Sequence, residues 1–232
     1  MSFEGLLNGS TATGVIAAGC FFGLFFYIKS KENNAKLLKI AGIMIFFSGL
    51  LYLGPLTDFL FLLLTGKNLK PIFLYGILSY MWITPALIPA MYLSAEIITP
   101  SKKKIILTFY SILGIIFELF LWLDTLNAFY FELDNPGNNL IDASFNKTHP
   151  TFLLIAFFLL TLLFFNGFGL LIKIRNYTGD LKKRFSYLSI AYIIFVICGF
   201  FDSLIAPGIA LFFVRIGMMT YPWFFYAGLK NN

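Results

Sequence analysis

Apolar runs of roughly twenty residues, separated by short polar breaks, fill the chain from end to end. A helix needs roughly twenty apolar residues to cross a hydrocarbon core of about 30 Å. Seven runs can be drawn: residues 13–28, 37–64, 72–98, 105–131, 151–172, 185–205 and 208–229. Each break has its own punctuation. Lys29, Lys31, Glu32 and two asparagines end the first run, Thr65-Gly66-Lys67-Asn68 ends the second, and Pro71 and Pro100 bracket the third. The fourth leads into the longest loop, residues 132–150, and Ala206-Pro207-Gly208 makes a tight turn between the last two. The pattern predicts an all-α membrane protein, a seven-transmembrane-helix bundle occupying residues 1–232 as one domain. Runs longer than twenty residues predict tilt or short extensions beyond the bilayer.

Composition agrees with the pattern. Of 232 residues 59% are hydrophobic and 12% charged, about half the charge that a soluble surface carries. The net charge of +6 is no nucleic-acid signature, because the basic residues sit in short clusters between apolar runs. One side of the predicted membrane holds Lys29, Lys31, Lys36, Lys39, Lys102, Lys103, Lys104, Lys173, Arg175, Lys182, Lys183, Arg184 and Lys230. The other holds only Lys67, Lys70 and Lys147. An excess of Lys and Arg marks the cytoplasmic side, so the N-terminus is expected outside, the C-terminus at Asn232 in the cytoplasm, and the chain in the cell membrane. The same clusters are expected to meet anionic lipid headgroups. No basic region precedes the first run, so the first helix is expected to stay as a signal anchor. Asn8-Gly9-Ser10 and Asn146-Lys147-Thr148 are glycosylation sequons on the expected outer side. Cys20 and Cys198 fall inside runs and are expected as free thiols.

Charged groups inside a bilayer are costly and tend to face the bundle interior, where they pair or act. The candidates are Asp58, Glu118, Asp124, Asp202 and Arg215. At about 1.5 Å per residue along each helix, all of them fall in the outer half. Asp202 and Arg215 face each other across the hairpin of the last two helices, and Glu118 shares the depth of Arg215 and competes for it. Three readings stay open: a buried ion pair that only fixes packing, an outward-facing polar pocket, and span boundaries that leave Asp58 and Asp124 in the headgroup region. For the pocket, the ligand-binding candidates are Arg215, Asp202, Glu118, Asp124, Asp58, Tyr80 and Trp82. Gly19 and Gly23, four residues apart, read as close-packing positions.

Several chemistries are disfavoured. The single histidine, His149, excludes a multi-histidine metal site, and no serine or thiol stands in a nucleophile context. No metal, cofactor or catalytic residue is therefore expected. Seven helices with an outer N-terminus resemble G-protein-coupled receptors and microbial rhodopsins, but the seventh run has no lysine in its span for a retinal Schiff base. The topology, the basic linker Lys182-Lys183-Arg184-Phe185, and Asp202 and Arg215 in the final hairpin resemble the seven-helix sensor regions attached to prokaryotic histidine kinases and cyclases. That resemblance implies a receptor-like sensor that takes a small ligand or lipid from the outer side. Such regions continue into an output domain, whereas this chain stops three residues after Leu229. Signalling through a protein partner or a homo-oligomer is the implied route. The Lys-, Ile-, Phe- and Asn-rich composition, with the sequons, suggests a prokaryotic and archaeal source. A small transporter or channel for an ion, proton or lipid, using the same charged residues, is an alternative. A lipid-modifying intramembrane enzyme is a second one. The cytoplasmic half of the spans carries almost no ionisable residue apart from Glu96 near its edge, which favours access from one side only.

Overall fold

The computed structural model describes residues 1–175 and 177–230; Asn232, the C-terminus expected in the cytoplasm, lies outside the described residues. The chain folds as an all-helical bundle with one small sheet. Among the described residues eleven α-helices follow in order: α1 (Phe3–Glu32), α2 (Lys36–Leu50), α3 (Leu53–Thr65), α4 (Phe73–Tyr80), α5 (Ile83–Ile98), α6 (Lys103–Leu123), the short α7 (Thr125–Ala128), α8 (Pro150–Thr161), α9 (Gly169–Ile174), α10 (Gly179–Asp202) and α11 (Ile209–Leu229). Strands β1 (Phe129–Glu132) and β2 (Asp142–Phe145) pair antiparallel between α7 and α8. Several helices join into longer rods, so six of the helical stretches are long and apolar enough to cross a membrane, and α2 with α3 makes a seventh if that bent pair is one span. Their outward faces are apolar: Ile105 is 71% exposed and Leu123 81%. Such surfaces suit lipid and mark a multi-pass membrane protein.

The breaks between helices have local causes. α2 and α3 meet at an angle of 43°. Pro55 lacks the N–H that would bond the carbonyl of Leu51, so the helix stops and restarts with the proline in its first turn, where no N–H is needed. Pro85 does the same between α4 and α5. The run expected to stay helical through residue 131 ends at Leu123 instead. Asp124 leaves helical geometry at φ −140° and its carboxylate accepts from Asn127 Nδ2 at 2.6 Å, and the Phe-Tyr-Phe stretch after it takes the extended form that aromatic residues favour. The first helix is longer than its apolar run because Ser2 caps it, its hydroxyl accepting from Gly5 N at 2.9 Å, with Glu4 in the first turn. α8, a π-helical turn over Leu162–Phe168, and α9 form one continuous rod.

α1 is the hub, packing along α2, α3 and α11. It lies so close to α2 that a Cβ on Gly19 would sit 2.6 Å from the Cα of Gly49, and one on Gly42 would sit 2.8 Å from the carbonyl of Gly23. The two helices meet backbone to backbone, as small residues permit. Gly199 on α10 is different: an added Cβ there would meet only a methionine terminus at 3.8 Å. Gly19→Val should therefore destabilise the detergent-purified protein by about 1–3 kcal/mol. Gly199→Ala should be neutral or slightly stabilising. Equal melting temperatures for the two variants would show that the α1–α2 contact is not close.

Candidate ligand-binding site

One end of the bundle carries the β1–β2 hairpin, the loop 66–72, the α10–α11 turn and the start of α1. Three helices converge there on Arg215, which is 4% exposed. α11 brings the guanidinium in six residues from its first residue. α10 ends on Asp202, whose Oδ1 accepts from Arg215 Nε at 2.8 Å. α1 supplies Asn8 and Thr11, one helical turn apart. Arg215 Nη1 donates to the Asn8 carbonyl at 2.9 Å, to the Asn8 side-chain oxygen, and to Thr11 Oγ1 at 3.2 Å. Beneath the guanidinium lies the ring of Tyr52, its centroid 5.0 Å away, and the Tyr52 hydroxyl donates to Met218 Sδ at 3.0 Å. An arginine left unpaired in such surroundings would cost several kcal/mol. Here the carboxylate, the oxygens of Asn8 and Thr11 and the aromatic face together offset that cost.

Above this cluster lies a cavity of about 150 Å³. Its polar walls are Glu4 and Asn8 of α1, Glu132, Asp142 and the hairpin-loop residues Asp134 and Asn139. Arg215 and Asp202 are not wall residues. They stand behind Asn8 and hold it in place, so the guanidinium positions the cavity without lining it. Glu132 and Asp142 face each other across the hairpin, an arrangement of like charges that costs stability unless a cation or proton intervenes.

The expected residues divide clearly. Arg215 and Asp202 come together. Glu118 does not join them: it lies on α6 beside Thr84 and Trp122, and its Oε1 is buried without a hydrogen-bond partner. Asp58 is fully buried in a separate knot. Its carboxylate accepts from Leu69 N at 2.7 Å, from Ile141 N at 2.8 Å and from Asn68 Nδ2 at 3.2 Å, tying α3 to the two loops that cap the end. Asp124 caps α6 and lies 3.3 Å from His149 Nε2. The Tyr80 ring stacks on Phe129, centroids 4.8 Å apart, under the hairpin. Trp82 stacks on Phe47 at 5.8 Å. Among the described residues no group of acids, histidines and cysteines is placed to hold a metal ion, and both cysteines are free thiols.

Asn8 and Thr11 were missed because residues 1–13 read as a polar lead-in. The available signal was the spacing Asn8, Thr11, Val15, which puts all three on one helical face. Asn8 is 7% exposed and committed to Arg215, so the first sequon is not presented for modification.

Burial, and then Glu132 opposite, push the Asp142 carboxyl above the usual carboxylate range. A carboxyl with a raised folded-state value holds its proton more tightly folded than unfolded. Its contribution is therefore favourable at acid pH and is lost as pH rises from about 4, the unfolded value, through the raised folded one. Asp142→Asn should flatten this loss, so its melting temperature relative to the parent chain rises between pH 4 and 7. A constant difference across that range would mean that Asp142 titrates normally. No family model matches the chain, and no curated protein matches it closely enough to count as a relative.

Proposed function

We propose that the chain spans the cell membrane seven times, with the hairpin end outside, and works as a receptor-like sensor that takes a small cationic ligand into the acid-walled cavity. The observation that carries this reading is the cavity itself. It has four carboxylates in its walls, no basic wall residue, and a floor asparagine held by a buried arginine. A cationic guest would relieve the opposition of Glu132 and Asp142, which gives binding an electrostatic driving force. Asn8 belongs to α1 and Arg215 to α11, so a guest that shifts Asn8 would bias the packing of two membrane-length helices, the kind of two-state element that a sensor needs.

Orientation is supported by the excess of Lys and Arg at the opposite end. There Lys31 and Lys39 lie over the ring of Tyr27, at 4.8 and 5.5 Å, and Lys103 and Lys36 over that of Tyr92, also at 4.8 and 5.5 Å. Basic groups anchored on aromatic rings suit an anionic headgroup layer. Onward signalling would fall to a protein partner or a second copy. A transporter keeps one observation in its favour: the half away from the cavity contains buried neutral polar groups, Ser94, Asn166, Ser189 and Tyr192.

Two experiments test these readings. In intact cells, an impermeant thiol reagent should label Lys147→Cys and not Asn34→Cys, in a background with Cys20 and Cys198 replaced; the reverse pattern would invert the topology. For the ligand, the purified protein should be titrated with putrescine, a compact diamine. Saturable stabilisation is expected, about 2.7 kcal/mol at a hundredfold excess over Kd, and it should vanish in Glu132→Gln/Asp142→Asn. The neutral pair Asp202→Asn/Arg215→Met should stay folded but bind more weakly, because Asn8 is no longer held. Putrescine stabilisation that persists in the Glu132/Asp142 variant would rule out the cavity as the site.

A further inference from the structure

Away from the cavity, in the other half of the bundle, three helical rods bring uncharged polar groups together where no solvent reaches. Asn166 and Ser94 are 0% exposed and Tyr192 2%. Asn166 sits in the π-helical turn between α8 and α9, Ser94 in α5 and Tyr192 in α10. Asn166 Nδ2 donates to the carbonyl of Ala90 at 3.2 Å, and the Tyr192 hydroxyl donates to the same carbonyl at 3.0 Å. Ser189 donates to the carbonyl of Gly167, inside the π-turn, at 2.8 Å. That accounts for the Tyr192 hydroxyl proton and for one of the two N–H donors of Asn166. It does not account for Asn166 Oδ1 or Ser94 Oγ, which are buried with no hydrogen-bond partner in the chain, although both side chains lie beside the Tyr192 hydroxyl.

Turning the Asn166 amide over would not help, because its oxygen would then face the Ala90 carbonyl oxygen at 3.2 Å, acceptor against acceptor. Buried polar atoms without partners are rare in folded proteins, and in an apolar bundle there is no bulk solvent to supply one. The guest that fits must donate to Asn166 Oδ1, exchange a hydrogen bond with Ser94 Oγ, and be small and neutral, since no charged side chain contributes to the cluster. Water meets each condition.

We propose that Ser94, Asn166 and Tyr192 form an internal binding site for a single water molecule at the π-helical turn. The π-turn is what aims Asn166 into the site. Its widened backbone leaves the Gly167 carbonyl to Ser189, and the amide then faces α5 rather than lipid. This site is independent of the cavity at the hairpin end and of what that cavity binds.

The sign of one substitution decides the matter. If a water bridges Ser94 to Asn166, Ser94→Ala removes one of its partners, and the melting temperature of the detergent-purified protein should fall by several degrees. If the Ser94 hydroxyl is simply unpartnered, deleting it relieves a desolvated group, and the melting temperature should rise or stay unchanged; either result overturns the proposal. Parallel melts with sodium replaced by choline separate water from a bound cation. The parent chain should be unaffected, and a sodium-dependent shift that Ser94→Ala abolishes would make the guest an ion and overturn the proposal. An experimental density map should show one solvent oxygen within hydrogen-bond reach of Asn166 Oδ1 and Ser94 Oγ, and a filled map without it would also overturn it.

Discussion

A buried guanidinium cannot shed its charge, so the helices around Arg215 have to be arranged to receive it. That requirement organises one end of the bundle. Asp202 must be the last residue of α10, so that its carboxylate meets Nε from across a tight turn. α1 must begin early enough to present Asn8 and Thr11 on the face that looks at α11. Tyr52, at the break between α2 and α3, must turn its ring under the charge. Three segments of the chain are thus gathered around one side chain. Further along α1, Gly19 and Gly23 let α2 approach to backbone contact.

The cap over that end is built on a second buried acid that serves a different purpose. Among the described residues Asp58 makes no ion pair, and it satisfies its oxygens with backbone amides and an asparagine. A carboxylate used in this way is a tie between loops. It fixes the loop 66–72 against the hairpin loop, and Asn68 extends the tie by accepting from Gly137 N and donating to the Asn139 carbonyl. The part of the cavity wall that the hairpin loop supplies is therefore held rather than free, although it carries an acid, Asp134, beside those of α1 and the strands.

Elsewhere the bundle meets the demand of an apolar environment by local adjustment. Prolines at positions 55 and 85 are absorbed by ending one helix and starting the next. The π-turn near Asn166 is a different solution. It keeps the α8–α9 rod continuous while turning one amide inward, where it links to α5. Both devices keep part of the irregular backbone inside the protein: Gly54, Pro55, Asn166 and Gly167 are buried.

The helical membrane class was legible in the sequence because it depends on the length and apolarity of runs, which are local properties. So was the partnership of Asp202 with Arg215, since a short turn forces neighbouring helices to run antiparallel and puts the two at matching depth. The strand after Asp124 was not legible, because an apolar aromatic run reads equally as the end of a helix or as a strand until its partner, β2, is known. Depth alone could not separate Asp58, Asp124 and Glu118 from the arginine, since residues at one depth can point to different sides of the bundle. Nor could it reveal Asn8 as a second partner of the arginine, or Asn166 as the polar centre of the other half. Those assignments depend on rotation of each helix about its own axis and on which helices are neighbours. Both are decided by packing among segments far apart in the chain, and only the tertiary structure contains that information.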